Sequence, residues 1–259
     1  MTAIDPLQST EPTERSAIRE RYRAIFSANL ATCAFLIGCA YVLGTPLFLG
    51  DSLPLKIAAG VALTTIVGQA AAWRADGGRG RLWLYGVTMV LVCWSVYFLI
   101  AGISWMFYFS SVPMPVTIRI TCVAAAVSGT LLGIVMTARQ VSGALGKPEF
   151  IAHAFRDAGS EIQYSLSAMQ QLGTFSDRRG PIVRIGQGLV LFAAPAVFLA
   201  VRTRMPLPAS ADLLLFSAML LYPCSQFLIG LVVKGSLLMI GTPRRLERIH
   251  GKPVTLIGD

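Results

Sequence analysis

The chain has 259 residues, of which 54% are hydrophobic and 14% charged, and 22 Lys and Arg against 13 Asp and Glu leave a net charge of +9. With a mean hydropathy of +0.64, the composition excludes an ordinary soluble domain. The positive excess does not indicate nucleic acid. Basic loops are what membrane topology requires, they sit well against anionic head groups, and no nucleic-acid-binding motif is recognisable.

The opening residues 1–23 are polar and carry Asp5, Glu11, Glu14 and Glu20 among their arginines. They do not read as a secretory leader with a cleavage site, so the first apolar stretch is expected to be an uncleaved anchor. About a dozen residues should be disordered before a short surface helix leads into that stretch.

Six apolar stretches follow, each long enough at 1.5 Å per residue to cross about 30 Å of hydrocarbon. They run from about Ala24 to Leu43, Leu55 to Trp73, Leu82 to Phe109, Val116 to Thr137, Ile185 to Val201 and Leu213 to Val233. The third is the most aromatic and is long enough to tilt or to end in an interfacial turn. Because only helices satisfy their own backbone in lipid, the expected fold is an all-α polytopic membrane protein with six transmembrane helices.

Lys and Arg cluster before the first span (Arg15 to Arg23), between the second and third (Arg74 to Arg81), between the fourth and fifth (Arg139 to Arg184), and after the sixth (Arg244 to Lys252). The positive-inside rule then puts both termini in the cytoplasm of a bacterial-type inner membrane. Five or seven spans would send one basic cluster outside. Arg119, a few residues into the fourth span, is expected to snorkel to the far interface. Lys234 should mark the cytoplasmic end of the sixth span, with the following GSLLMIG lying flat as a short apolar turn; a charge in a polar cavity is the sharper alternative.

Helix packing has a recognisable pattern. Gly60, Thr64, Gly68 and Ala72 recur at every fourth position of the second span, as do Ala125, Gly129 and Gly133 in the fourth. Such stripes let backbones approach closely, within one protomer or between two. Asn29, Gln69, Gln187 and Gln226 are expected to hydrogen-bond between helices. Pro195 and Pro223 allow kinks.

Outside the spans, one segment stands out. From about Lys147 to Gly173, apolar positions Ile151, Phe155, Ala158, Ile162, Leu166, Met169 and Leu172 recur at steps of three or four, which predicts an amphipathic helix over about 148–172 on the cytoplasmic side. Its stripe must be covered by lipid, by the protein's own cytoplasmic face, or by a partner. A partner helix or a second copy is ranked first because the polar face is not notably basic. The candidate partner-binding residues are therefore Ile151, Phe155, Ile162, Leu166 and Met169.

No catalytic, cofactor or metal motif is present. The five cysteines all fall in predicted spans with no CxxC spacing, and His153 and His250 lie outside them. No Asp or Glu falls within a span, which lowers ion-coupled transport. The RADGGRGR turn has a passing likeness to the motif of phospholipid head-group transferases, but the next helix lacks the aspartates those enzymes need. No activated nucleophile or phosphate loop is found. The favoured function is a non-catalytic multi-pass subunit of a secretion, conjugation or envelope assembly. The size and span count also resemble in layout the membrane subunits of ABC exporters, driven by a separate ATPase, although no specific motif matches and the long loop here follows the fourth span. An immunity or exclusion protein is a further alternative.

Overall fold

The computed structural model describes residues 11–45, 50, 52–112, 114–175, 188, 192–193, 195–200, 202–203 and 209–256. It is mostly helical, and five of its described helices are long and apolar enough to cross a membrane: Ile18–Gly44, Leu53–Asp76, Leu82–Ala101, Val116–Leu145 and Leu215–His250. The expected fifth span, about 185–201, lies largely outside the described residues. Within it, residues 195–200 are helical, and Phe198 packs on Phe109 and Tyr222 with ring centroids 4.8 and 6.0 Å apart.

Helices α1 (Glu11–Gly44), α2 (Leu53–Asp76) and α3 (Leu82–Ala101) form an antiparallel trio. Pro54 sits in the first turn of α2, where a missing N–H costs nothing, and Gly77 ends the helix at φ +58° with its N–H on Trp73 O. Gly78 and Gly80 also take positive φ, and the buried Asp76 carboxylate accepts the backbone N–H groups of Gly80 and Arg81 at 3.1 and 2.9 Å. The DGG sequence is thus a glycine-built helix turn held by its own aspartate.

Beyond α3 the helix continues through a π-helical turn, Gly102–Met106, into α4 (Phe107–Ser111). The turn is possible because Gly102 leaves room for the Phe107 ring; a Cβ there would stand 2.6 Å from it. Helix α5 (Val116–Leu145) follows. Arg119 turns back toward the connection that precedes α5. Its Nη2 donates to Val112 O at 3.0 Å, placing a cation on the last carbonyls of α4.

The segment after α5 departs from expectation. In place of one amphipathic helix over 148–172, the chain forms α6 (Pro148–Ala154), β1 (Phe155–Asp157), β2 (Ile162–Tyr164) and α7 (Ser167–Phe175). Gly159, at φ +90°, lies in the connection, and its N–H bonds Asp157 Oδ1 at 2.8 Å, an Asx turn that reverses the chain. The β-branched and aromatic residues around the turn then pair as strands.

Helix α8 (Ala209–Gly235) also runs further than expected. It passes through a π-helical turn, Ser236–Gly241, into α9 (Thr242–His250) without stopping at Lys234. The apolar SLLMIG residues do not lie flat, since Leu238 and Met239 are fully buried. The 36-residue run Leu215–His250 would be about 54 Å long, so its last turns project beyond about 30 Å of hydrocarbon. After α9, β3 (Val254–Leu256) pairs parallel to β2, giving a sheet of order β1-β2-β3. The fold is therefore helical with one small sheet, not purely α.

Two apolar cores result. One lies within the bundle and includes Leu36, Ala58, Tyr97, Phe107, Phe109, Cys122, Ala126 and Tyr222. The other joins the end of the bundle to the sheet and its flanking helices, and includes Tyr22, Leu82, Val141, Phe150, Phe155, Ile162, Tyr164, Leu238, Met239 and Val254. This second body is the cap.

Candidate functional site

The cap accounts for the apolar stripe. Phe155 and Ile162 are buried in its core, and Ile151, Leu166 and Met169 are half-buried against it. All five candidate partner-binding residues are brought together, and what they cover is the protein's own surface. Tyr164 is buried beside Phe155, with centroids 5.0 Å apart, and burial pushes its hydroxyl up to about 12.

The tail closes the cap. Lys252 Nζ bonds both carboxylate oxygens of Asp157 at 2.9 and 2.8 Å, Val254 N–H donates to Glu247 Oε1, and Leu256 N–H donates to Gly80 O. The bond to Lys252, then the Gly159 N–H, hold the Asp157 carboxyl below its ordinary range. The turn between α2 and α3, the β1–β2 hairpin and the C-terminal strand are thereby tied into one unit. Its rim is basic: Arg74, Arg79, Arg139, Arg156, Arg245 and Arg248 are exposed, and Arg244 stacks over Trp83 at 4.1 Å from the ring centroid. Ile249 stands 63% exposed among the arginines of α9.

Inside the bundle, polar side chains link helices. Asn29 Nδ2 donates to Gln69 Oε1 at 2.8 Å, and Gln69 Nε2 to Thr88 O at 3.0 Å, joining α1, α2 and α3. Cys33 lies against Asn29 and Thr65 at 3.6 Å. On the other side, Gln226 Nε2 donates to Thr130 Oγ1 at 3.1 Å and Tyr222 O–H to Ala126 O at 3.1 Å, joining α8 to α5. Gln187 lies outside the described residues.

The glycine stripes divide. Gly68 receives Leu91, whose Cδ1 would be 2.9 Å from an added Cβ, whereas Gly60 faces open space. The buried side of α2 is Ala58, Ala62, Thr65, Gln69, Ala72 and Asp76, which shares Ala72 with the Gly60 stripe. On α5 the buried positions are Cys122, Ala126 and Thr130, while Gly129 and Gly133 are half-buried. A close backbone approach involves Gly86, where a Cβ would meet Met239 O at 2.7 Å. Only the pairing of Gly86 with the GSLLMIG run, two apolar segments far apart in sequence, could have signalled it.

Gly133 lines a partly open cavity of about 790 Å³ between α3, α5 and α8. Val96, Ile100, Met136, Phe227 and Leu228 supply apolar wall; Thr137, Gln140, Gln226 and Lys234 supply polar groups. Among the described residues no three His, Cys, Asp or Glu side chains come together as metal ligands. No protein-family model, curated protein or solved structure matches the chain.

Proposed function

We propose that this chain is a non-catalytic, multi-pass subunit of a larger bacterial inner-membrane assembly of secretion, conjugation or envelope type, working by contact. The observation that carries the reading is the cap, a unit tied together by the hairpin, the tail and the α2–α3 turn that presents exposed arginines and Ile249 around a closed apolar core. A surface of that kind suits a partner with an acidic face, with Ile249 as a small apolar anchor.

Six spans with both termini in the cytoplasm belong to the same proposal. Helices α5 and α8 both run into the cap at their C-terminal ends, which supports an even number of crossings between those ends. The arginines gathered there favour the cytoplasmic side.

The interaction helix of the sequence reading is replaced by α9 and the β1 edge. Photo-crosslinkers placed at Arg245, Arg248 and Ile249 in the native membrane should capture a specific protein, while one at Met169 should report only contacts within the chain. If liposomes holding the purified protein alone move solute, or if the α9 positions capture nothing, the reading fails.

A further inference from the structure

Contacts with α3 give the level at which each helix meets the headgroups, and the levels differ. Gln69 of α2 donates to Thr88 O at 3.0 Å, so these residues stand side by side. Arg74 is exposed and five residues further along α2, which puts it about 7.5 Å nearer the cap than Thr88. On the other side of α3, a Cβ added to Gly235 of α8 would meet Val90 Cγ2 at 3.0 Å, and one added to Gly230 would meet Thr137 Oγ1 of α5 at 3.5 Å. Counting along α3, α8 and α5, Thr137 is about 10.5 Å further from the cap than Thr88, the exposed Arg139 about 7.5 Å further, and Lys234 about 4.5 Å. The cap-end cations of α2 and α5 are therefore offset by about 15 Å. The opposite ends are offset the same way. Lys56 of α2 lies about 19.5 Å from Gln69 and Arg119 of α5 about 27 Å from Thr137, so Arg119 stands about 18 Å beyond Lys56. Lys56 to Arg74 and Arg119 to Arg139 enclose uncharged runs of about 27 and 30 Å, each close to one bilayer thick. Snorkelling lengthens both runs alike and leaves the offset.

We infer that the bundle lies tilted in the bilayer, with Arg74, Lys234 and Arg139 on one headgroup surface. An upright bundle in a flat bilayer would match one uncharged run and leave about half of the other in water. A thinned bilayer would draw the two ends of a run together, whereas here both ends shift in one direction, as on a slope. Lys234 falls in order on that slope, since α8 packs between α3 and α5 and its cation is intermediate in level between Arg74 and Arg139. Contacts run from α2 to α3 to α8 to α5, and three spacings of about 8–10 Å give at most about 30 Å, so the slope is at least about 27°. That is steeper than the average of about 20° for membrane helices. The cap fills the wedge under α5, where Val141 and Ala144, just past Arg139, belong to its core. The slope sets Arg74 and Arg139 against anionic headgroups. Ile249 is fifteen residues beyond Lys234, about 22 Å along the helix, and is held clear of a headgroup layer about 5–7 Å deep. The tilt holds whether or not the chain has a protein partner.

The test measures depth on the full chain in nanodiscs of phosphatidylcholine and phosphatidylglycerol. A nitroxide carried on a non-natural amino acid, which leaves the native cysteines in place, is set at Arg74 in one protein and at Arg139 in another. Its depth is read from relaxation by oxygen and by a nickel chelate. The two labels should agree in depth to within one headgroup layer, about 5–7 Å. A difference of about 15 Å, the spacing along the bundle, means an upright bundle and overturns the inference. Oriented-sample solid-state NMR of the unmodified chain measures the slope without any substitution, so it decides the matter even where a labelled protein fails to insert. Helices α2 and α5 should both be inclined by more than about 25° to the bilayer normal. An inclination of both below about 15° overturns the tilt, and labels that then agree in depth would mean a bilayer bent around an upright bundle.

Discussion

Helix α3 has two seams that use the same chemistry to different ends. Toward α1 and α2 it closes on Asn29, Gln69 and Thr88, where the Asn29 and Gln69 amide nitrogens each find an oxygen. Toward α5 and α8 it packs through Val90 and Tyr97, and beside those contacts lies a cavity with a lysine on its wall. Gln69 and Gln226 look alike in sequence. Gln69 uses both its oxygen and its nitrogen across helices, whereas Gln226 uses its nitrogen and leaves Oε1 without a partner among the described residues. Full satisfaction marks the seam that holds the bundle; partial satisfaction marks the seam that leaves room for something else.

The comparison can be strained first where α3 meets the turn after α8. Gly86→Ala would put a methyl 2.7 Å from the Met239 carbonyl oxygen, and backbone cannot yield as a side chain can. A loss of about 1–3 kcal/mol is expected, read as a lowered unfolding midpoint in nanodiscs. Gly68→Ala should cost less, because only the end of the Leu91 side chain must move.

Next comes the hydrogen-bonded seam. Gln69→Leu strands Asn29 Nδ2 in an apolar interior, and should cost about 1–2 kcal/mol by the same measurement. Gln226→Leu should cost less than about 1 kcal/mol, since it removes one bond and also an oxygen that had no partner. If the two losses are equal, the seams do not differ in the way described. Gly60→Ala, into open space, should stay within about 0.5 kcal/mol.

Much of the bundle was legible in the sequence because the bilayer imposes length and hydropathy directly. The α2, α3 and α5 starts fall within a few residues of expectation, and Asn29, Gln69 and Gln226 bond between helices as their polarity implied. The misreadings share a cause. A stripe at Ile151, Phe155, Ile162 and Met169 fits a helix by spacing, but the Asp157–Gly159 turn and a pairing strand ninety residues away decide otherwise, and no local pattern encodes the distant strand. Glycine spacing marked Gly60 and Gly133 as packing positions within one protomer or between two, and within the chain the buried positions of α2 and α5 are chiefly alanine and threonine. The SLLMIG run after Lys234 was expected to lie flat, although Met239 within it is buried against Gly86 in another helix.

The smallest expected effect separates the cap from both seams. The tail is clipped to the hairpin by Lys252 and Asp157, whose carboxyl is held below its ordinary value by that bond and by the Gly159 N–H. A carboxyl depressed in the folded state stabilises above its unfolded pKa, and that contribution disappears as pH falls through the folded value. Hydrogen-exchange protection of Ile162–Tyr164, corrected for intrinsic rate, should therefore be flat from about pH 5 to 8 and weaken only below about pH 4. Asp157→Asn should lower protection slightly at neutral pH and remove the acid dependence, with the bundle unchanged in both proteins. The effect is small because the pair is exposed, and exposed pairs are screened. Weakening of the bundle over the same acid range in Asp157→Asn would mean that cap and bundle open together, and that the tail clip contributes to the whole fold.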